Sequence, residues 1–159
     1  MTAGTEHRIL VLDDDPTVTR ALEALIQLET SWVVDAFNEP QPAVASVESH
    51  TYHAVVSDFL MPEMDGIRFL ARVKEQQPSV SRIMLTGYAD KQNAIRSINE
   101  VGLYQYIEKP WENEALLMVL RNAVERSGLV AELDARMREL GERDRNMEAI
   151  RARLLKAIL

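Results

Sequence analysis

Residues 54–66 read Ala-Val-Val-Ser-Asp-Phe-Leu-Met-Pro-Glu-Met-Asp-Gly. Ala54, Val55 and Val56 are apolar at consecutive positions, the mark of a strand covered on both faces, as in a parallel sheet. Asp58 follows that run, Pro62 and Gly66 punctuate a turn, and an amphipathic helical pattern follows over 66–76. A buried strand, a carboxylate at its end and a helix behind it make one βα unit.

The same unit repeats on both sides. Strands are expected at 9–12, 32–37, 54–57, 83–85 and 104–107, and helices at 17–28, 41–50, 66–76, 91–101 and 112–126. Asp15-Pro16 offers an N-cap and a first-turn proline, Gly102 follows the fourth helix, and Lys109-Pro110 precedes the fifth. Successive βα units imply an α/β fold, an open doubly wound parallel sheet with right-handed crossovers. Its functional site belongs beyond the carboxyl ends of the strands.

Composition narrows the function. The chain has 159 residues and a net charge of −7, the opposite sign from the basic patch of a freestanding nucleic-acid binder, so no direct nucleic-acid contact is expected. Cysteine is absent, which excludes a disulfide scaffold, a thiol nucleophile and a thiolate metal site. No apolar run approaches the roughly 20 residues of a membrane span, and no signal-peptide pattern opens the chain. A cytoplasmic protein without membrane attachment is expected.

After Ser127-Gly128 the chain becomes Arg, Glu, Leu, Met and Ala, with no Pro and no aromatic residue. A separate helix is expected over 129–159. Heptad positions a (Val130, Met137, Asp144, Arg151, Ile158) and d (Leu133, Leu140, Met147, Leu154) are apolar except Asp144 and Arg151. That spacing points to a coiled coil and to a homodimer formed through this tail, with a helix folded back on its own domain as the competing reading. No Gly or Pro stop ends the pattern, so a further domain is expected beyond Leu159.

Chemistry gathers at the strand ends. Asp13, Asp14 and Asp15 follow the first strand, Asp58 the third, Thr86-Gly87 the fourth and Lys109-Pro110 the fifth. Carboxylate oxygens without His or Cys suit Mg²⁺. Asp15 before Pro16 and Asp65 before Gly66 are expected as helix caps, outside the site. His7, His50 and His53 are expected on the surface, and Met61, Met64 and Met84 in packing.

Four motifs carry a resemblance: Leu12-Asp13-Asp14-Asp15, the stretch from Asp58 to Gly66, Leu85-Thr86-Gly87, and Tyr106-Ile107-Glu108-Lys109-Pro110. In order and on these elements, they resemble the receiver domain of two-component response regulators, over residues 8–126. The resemblance implies a flavodoxin-like sheet of order 2-1-3-4-5 with five helices, a receiver domain over 1–127, and a coiled-coil linker over 128–159 to an output domain. It implies a signalling module rather than an enzyme. Asp58 would be the phosphoacceptor, supplied by a sensor histidine kinase or phosphotransfer protein. Asp14 would bind Mg²⁺ directly and Asp13 largely through water, with Asp58 and the Leu60 carbonyl as further ligands. Lys109 and Thr86 would contact phosphoryl oxygens, and Thr86 and Tyr106 would form the switch pair. Leu60 and Tyr88 would flank the path of the hydrolytic water.

Two other readings compete. A haloacid-dehalogenase-type phosphohydrolase also uses a strand-end Asp with Mg²⁺, but wants a second Asp two residues on, where this chain has Leu60. A pseudo-receiver would dimerise without phosphorylation.

Overall fold

The computed structural model describes residues 6–96, 98–141 and 145–158. Five parallel strands, β1 (Arg8–Leu12), β2 (Val33–Phe37), β3 (Ala54–Asp58), β4 (Ser81–Thr86) and β5 (Gln105–Glu108), form one sheet of order β2-β1-β3-β4-β5. Helices α1 (Pro16–Glu29), α2 (Pro40–Ser49) and α3 (Gly66–Gln76) connect the first four strands. A 3-10 turn, Tyr88–Asp90, then leads into the helical residues Lys91–Arg96 (α4) and Ile98–Val101 (α5), all within the span 91–101 where the sequence predicts a helix; Ser97 lies outside the described residues.

The side-chain period of 2 splits the sheet between two cores. Leu10, Leu12, Val55 and Met84 face α2 and α3, packing with Val47, Phe69, Leu70 and Val73. Ile9, Val11, Ala54, Val56, Ile83 and Leu85 face the other way, onto Leu22 and Ile26 of α1 and Leu116, Leu120 and Val124 beyond β5. Consecutive apolar residues in β1 and β3 therefore serve two layers, as the sequence predicted. Met61 and Met84 are buried and Met64 packs at the edge of the first core.

Local caps hold as expected. Thr17 N–H donates to Asp15 Oδ1 at 2.9 Å, and Arg68 N–H to Asp65 Oδ1 at 2.8 Å. Gly102 ends α5 with φ of 58°, a left-handed conformation that favours glycine. Arg82 lies beneath that turn, fully buried and, among the described residues, without an acidic partner. Its guanidinium donates to the carbonyls of Val101, Gly102, Pro78 and Val80. Burial lowers its pKa to about 10, still far above neutrality.

Two expectations need correction. His7 and His53 are not surface residues: each is half-buried, their rings stand edge to face at 4.7 Å, and Arg8 N–H donates to His53 Nδ1 at 3.2 Å. The tail is likewise not one separate helix. α6 (Asn113–Gly141) runs unbroken through Ser127 and Gly128, and α7 (Arg145–Ile158) folds back along it. A helical Gly costs about 1 kcal/mol relative to Ala, too little to end a helix whose Val124, Ser127 and Val130 share one buried face. Arg151, out of character in an apolar seam, pairs with Asp134 on α6 at 2.9 Å, and Arg126 donates to the Ile158 carbonyl. Asp144 and Leu159 lie outside the described residues, as does the side chain of Met147.

Candidate functional site

Parallel register brings the strand-end residues together. Leu12 lies opposite Ser57, Asp58 opposite Leu85 and Thr86 opposite Glu108. The hydrogen-bond ladder continues one residue past several strands: Asp13 N–H reaches the Phe37 carbonyl at 3.1 Å, Phe59 N–H the Leu85 carbonyl at 2.9 Å and Lys109 N–H the Thr86 carbonyl at 2.7 Å. Those bonds place Asp13, Asp58, Thr86 and Lys109 along one edge of the sheet. The Lys109–Pro110 peptide is cis. Gly66 abuts the same edge, because a Cβ there would lie 2.1 Å from the Asp58 carbonyl oxygen, so no larger residue fits without displacing β3.

Asp13, Asp14 and Asp58 each offer a carboxylate oxygen, all within 4.8 Å of one another. At ~5 Å and an effective dielectric of ~20, each ionised pair repels by ~3 kcal/mol. Lys109 is the cation that the fold supplies. Its Nζ donates to Asp13 Oδ2 at 2.7 Å and to Asp58 Oδ1 at 3.0 Å. Asp13, 1% exposed, also accepts from Asp15 N–H at 2.9 Å. One ammonium among three carboxylates leaves two negative charges when all are ionised, which suits a divalent cation and oxygen donors.

Burial is the main reason the Asp58 pKa rises to about 6; Lys109 opposes the rise, and Asp13 and Asp14 add to it. Burial by itself would lower the Lys109 pKa, but its hydrogen bonds to Asp13 and Asp58 outweigh that and leave it raised. Asp58 is therefore a carboxylate held in an unfavourable ionised state, with an ammonium aimed at it.

Thr86 is fully buried, and its Oγ1 has no hydrogen-bond partner among the described residues. An orphaned hydroxyl beside an acidic cluster is a donor awaiting an acceptor, since an unsatisfied buried hydroxyl is costly. Tyr106, on β5 opposite Met84, is half-buried with the Lys91 ammonium 6.0 Å from its ring centroid. Leu60 lies in the loop after Asp58 with its side chain 57% exposed. Asp13, Asp14, Asp58 and Lys109 thus form one cluster, Thr86 borders it, and Tyr106 and Leu60 lie around it.

One participant escapes a sequence reading. Asn38, just after β2, donates through Nδ2 to the Asp13 carbonyl at 2.9 Å. The only trace in the sequence is a short amide side chain at a strand end, followed by Glu39-Pro40.

Comparison with known proteins agrees with this geometry. Residues 9–121 match the response regulator receiver domain family. The chain is 35% identical over 126 residues to the hydrogenase transcriptional regulatory protein HoxA of Cupriavidus necator, a match covering 79% of this chain and 26% of that protein. It is 28% identical over 139 residues to the transcriptional regulatory protein FixJ of Bradyrhizobium diazoefficiens, covering 87% of this chain and 67% of that one. Among solved structures, the signal receiver domain of an HD domain-containing protein from Pseudomonas fluorescens superposes with a TM-score of 0.73 at 31% identity, covering 78% of this chain and 98% of that one. Against HoxA the chain spans about a quarter of its relative's length. No described helix is long and apolar enough to cross a membrane.

Proposed function

The chain belongs to the response regulator receiver domain family, and from that premise we propose that it stores a signal as an aspartyl phosphate on Asp58. The observation that carries this reading is the Lys109 ammonium bridging Asp13 and Asp58 beside the unpartnered Thr86 hydroxyl. The donor is a phosphohistidine on a sensor kinase or phosphotransfer protein. An Asp58 carboxylate oxygen attacks phosphorus, the P–N bond breaks, and the imidazole nitrogen leaves with the electron pair. Lys109 neutralises charge on the transferred oxygens and Thr86 Oγ1 donates to one of them, which is catalysis by position and electrostatics. Asp14, Asp58 and the Leu60 carbonyl would hold Mg²⁺, with Asp13 acting through water, and the cation would supply further charge neutralisation. The phosphoryl group adds about −1.5 to −2 charges and three acceptor oxygens. Thr86 moves toward it and Tyr106 follows into the space vacated.

Leu60 where a phosphohydrolase of the haloacid-dehalogenase type needs Asp does not favour turnover of free phosphate esters. Intact Asp13, Asp14, Asp58 and Lys109 do not favour a pseudo-receiver. Acetyl phosphate with Mg²⁺ tests the proposal: a phosphoryl group on Asp58 by mass spectrometry supports it, and an unmodified chain overturns it.

The phosphoryl group is expected to be long-lived. By the resemblance to receiver domains, positions 60 and 88 flank the water's approach, and the residues there, Leu60 and Tyr88, carry neither a carboxamide nor a carboxylate to orient it. Leu60→Asn should shorten the half-life of the phosphorylated form about tenfold, less than the ~10² of a full general base. A half-life measured by loss of labelled phosphate and unchanged in Leu60→Asn would show that position 60 does not gate the water.

Relay to an output domain runs through α6, which starts at Asn113, soon after Lys109, and continues into the tail without a break. The hairpin of α6 and α7 leaves Leu140 48% and Leu154 39% exposed, so folding back covers only part of the heptad seam. A second copy covers the rest, making a homodimer through the tail. Sedimentation at tens of micromolar should show a dimer, and Leu140→Arg with Leu154→Arg should shift it to monomer. A monomeric wild type would eliminate the tail dimer, and a dimer surviving both substitutions would place the interface elsewhere.

A further inference from the structure

One side chain that the phosphoryl chemistry leaves unused ties down both ends of the acidic loop. Asn38 Nδ2 donates to the Asp13 carbonyl oxygen and to Thr19 Oγ1, each at 2.9 Å. Thr19, 2% exposed on α1, donates its own hydroxyl hydrogen to the Pro16 carbonyl at 3.1 Å. A carboxamide NH₂ has two hydrogens, and both are engaged.

The backbone explains why a side chain is needed there. β1 and β2 stay in register as far as Leu12 and Phe37, and Asp13 N–H still finds the Phe37 carbonyl. In a parallel ladder the Asp13 carbonyl would take its donor two residues past Phe37, from Glu39 N–H, but the chain there has already turned into α2, with Glu39 at its N-cap position, and no such bond forms among the described residues. The Asn38 amide supplies the missing donor. Both backbone polar groups of Asp13 are thus held by the end of β2. The second hydrogen anchors the same amide to α1, on the far side of Asp14 and Asp15. Asp14, which is exposed and whose carboxylate takes no hydrogen bond among the described residues, lies between the two anchors.

We propose that Asn38 is a positioning residue for the cation site, bracing the loop so that the Asp13 and Asp14 carboxylates stay close to Asp58 despite their repulsion. The inference rests on the Mg²⁺ reading above. It assigns a role in binding to a residue that touches no metal and no phosphoryl group.

Calorimetric titration of MgCl₂ into the full chain, with no phosphodonor, tests it. Asn38→Ala removes the brace; Asn38→Asp keeps its size but replaces two donors with an oxygen facing two oxygens. Both should weaken Mg²⁺ binding about tenfold, in the range of losses at residues that orient metal ligands. Thr19→Val, which removes only the second anchor, should give a smaller loss and guards against an Asn38 variant that does not fold. In metal-free protein, amide hydrogen exchange at Asp13, Asp14 and Asp15 should quicken in the Asn38 variants. A lowered thermal midpoint with Mg²⁺ affinity unchanged within twofold would reduce Asn38 to a structural part and overturn the inference. A wild type that binds no Mg²⁺ would overturn the cation reading and this inference with it, an outcome distinguishable from the first.

Discussion

Asp58→Asn should abolish phosphoryl uptake outright. Acetyl phosphate, with Mg²⁺ present, should add one phosphoryl group to the wild type and none to the variant, and chelation of the metal should silence the wild type too. Asparagine keeps the size of the side chain but not the anionic nucleophile, and its amide does not attack phosphorus. Asp13, Asp15 and Asp65 are not substitutes, and Asp14 is taken up as a ligand of the proposed cation. Asp13 is 1% exposed and already bound to Lys109 and to Asp15 N–H, whereas Asp15 and Asp65 are capping helices. Asp58, by contrast, sits at the end of β3 with Lys109 on Oδ1 only. Equal labelling of wild type and variant would place the acceptor elsewhere and remove the basis of the mechanism.

The same residue should make the metal-free protein less stable as pH rises. In the folded chain Asp58 keeps its proton until about pH 6, against an ordinary value of 3.8. Between those values the folded state binds more protons than the unfolded state, so stability falls with increasing pH. The contribution from Asp58 is fully present below about pH 4 and lost as pH passes through about 6. A shift of this size corresponds to up to ~3 kcal/mol at 1.36 kcal/mol per unit. Denaturant unfolding in chelator should show that decline in the wild type. Asp58→Asn should be flatter over the same range and more stable at neutral pH, less the lost contact with Lys109. Millimolar Mg²⁺ at pH 7 should recover part of the difference for the wild type only. Parallel pH profiles for wild type and variant would show that Asp58 is not held in an unfavourable ionised state.

Both predictions trace to a cost accepted at the site. Three carboxylates within 4.8 Å, a single ammonium and a buried hydroxyl without a partner oppose stability. Breaches of the rule that buried polar groups are satisfied are expected where a ligand completes the set.

Much of this was legible in the chain itself. The apolar runs of β1 and β3, the βα alternation and the caps at Asp15 and Asp65 follow from local periodicity and turn chemistry. These need no knowledge of distant residues. Because parallel strands all point the same way, placing a carboxylate after β1 and β3, a hydroxyl in β4 and a lysine after β5 is enough to gather them at one edge. The receiver motifs were visible for that reason.

What only the tertiary structure decided depends on partners far apart in sequence. The Asn38 bond to Asp13 joins two loops through a strand pairing that no local pattern reveals. Burial of Arg82 is possible only because β4 runs beneath the end of α5, where the Val101 and Gly102 carbonyls join those of Pro78 and Val80 in satisfying it. His7 and His53 meet only because β1 and β3 begin side by side. Gly128 looks like a break, yet one buried face spanning Val124, Ser127 and Val130 carries α6 across it. The heptad pattern of the tail showed that a helix needs an apolar partner, and heptad spacing is the same whichever helix supplies it. Fold-back of α7 was decided by Arg151 finding Asp134 and by Arg126 reaching the end of α7, contacts set by chain geometry rather than by repeat.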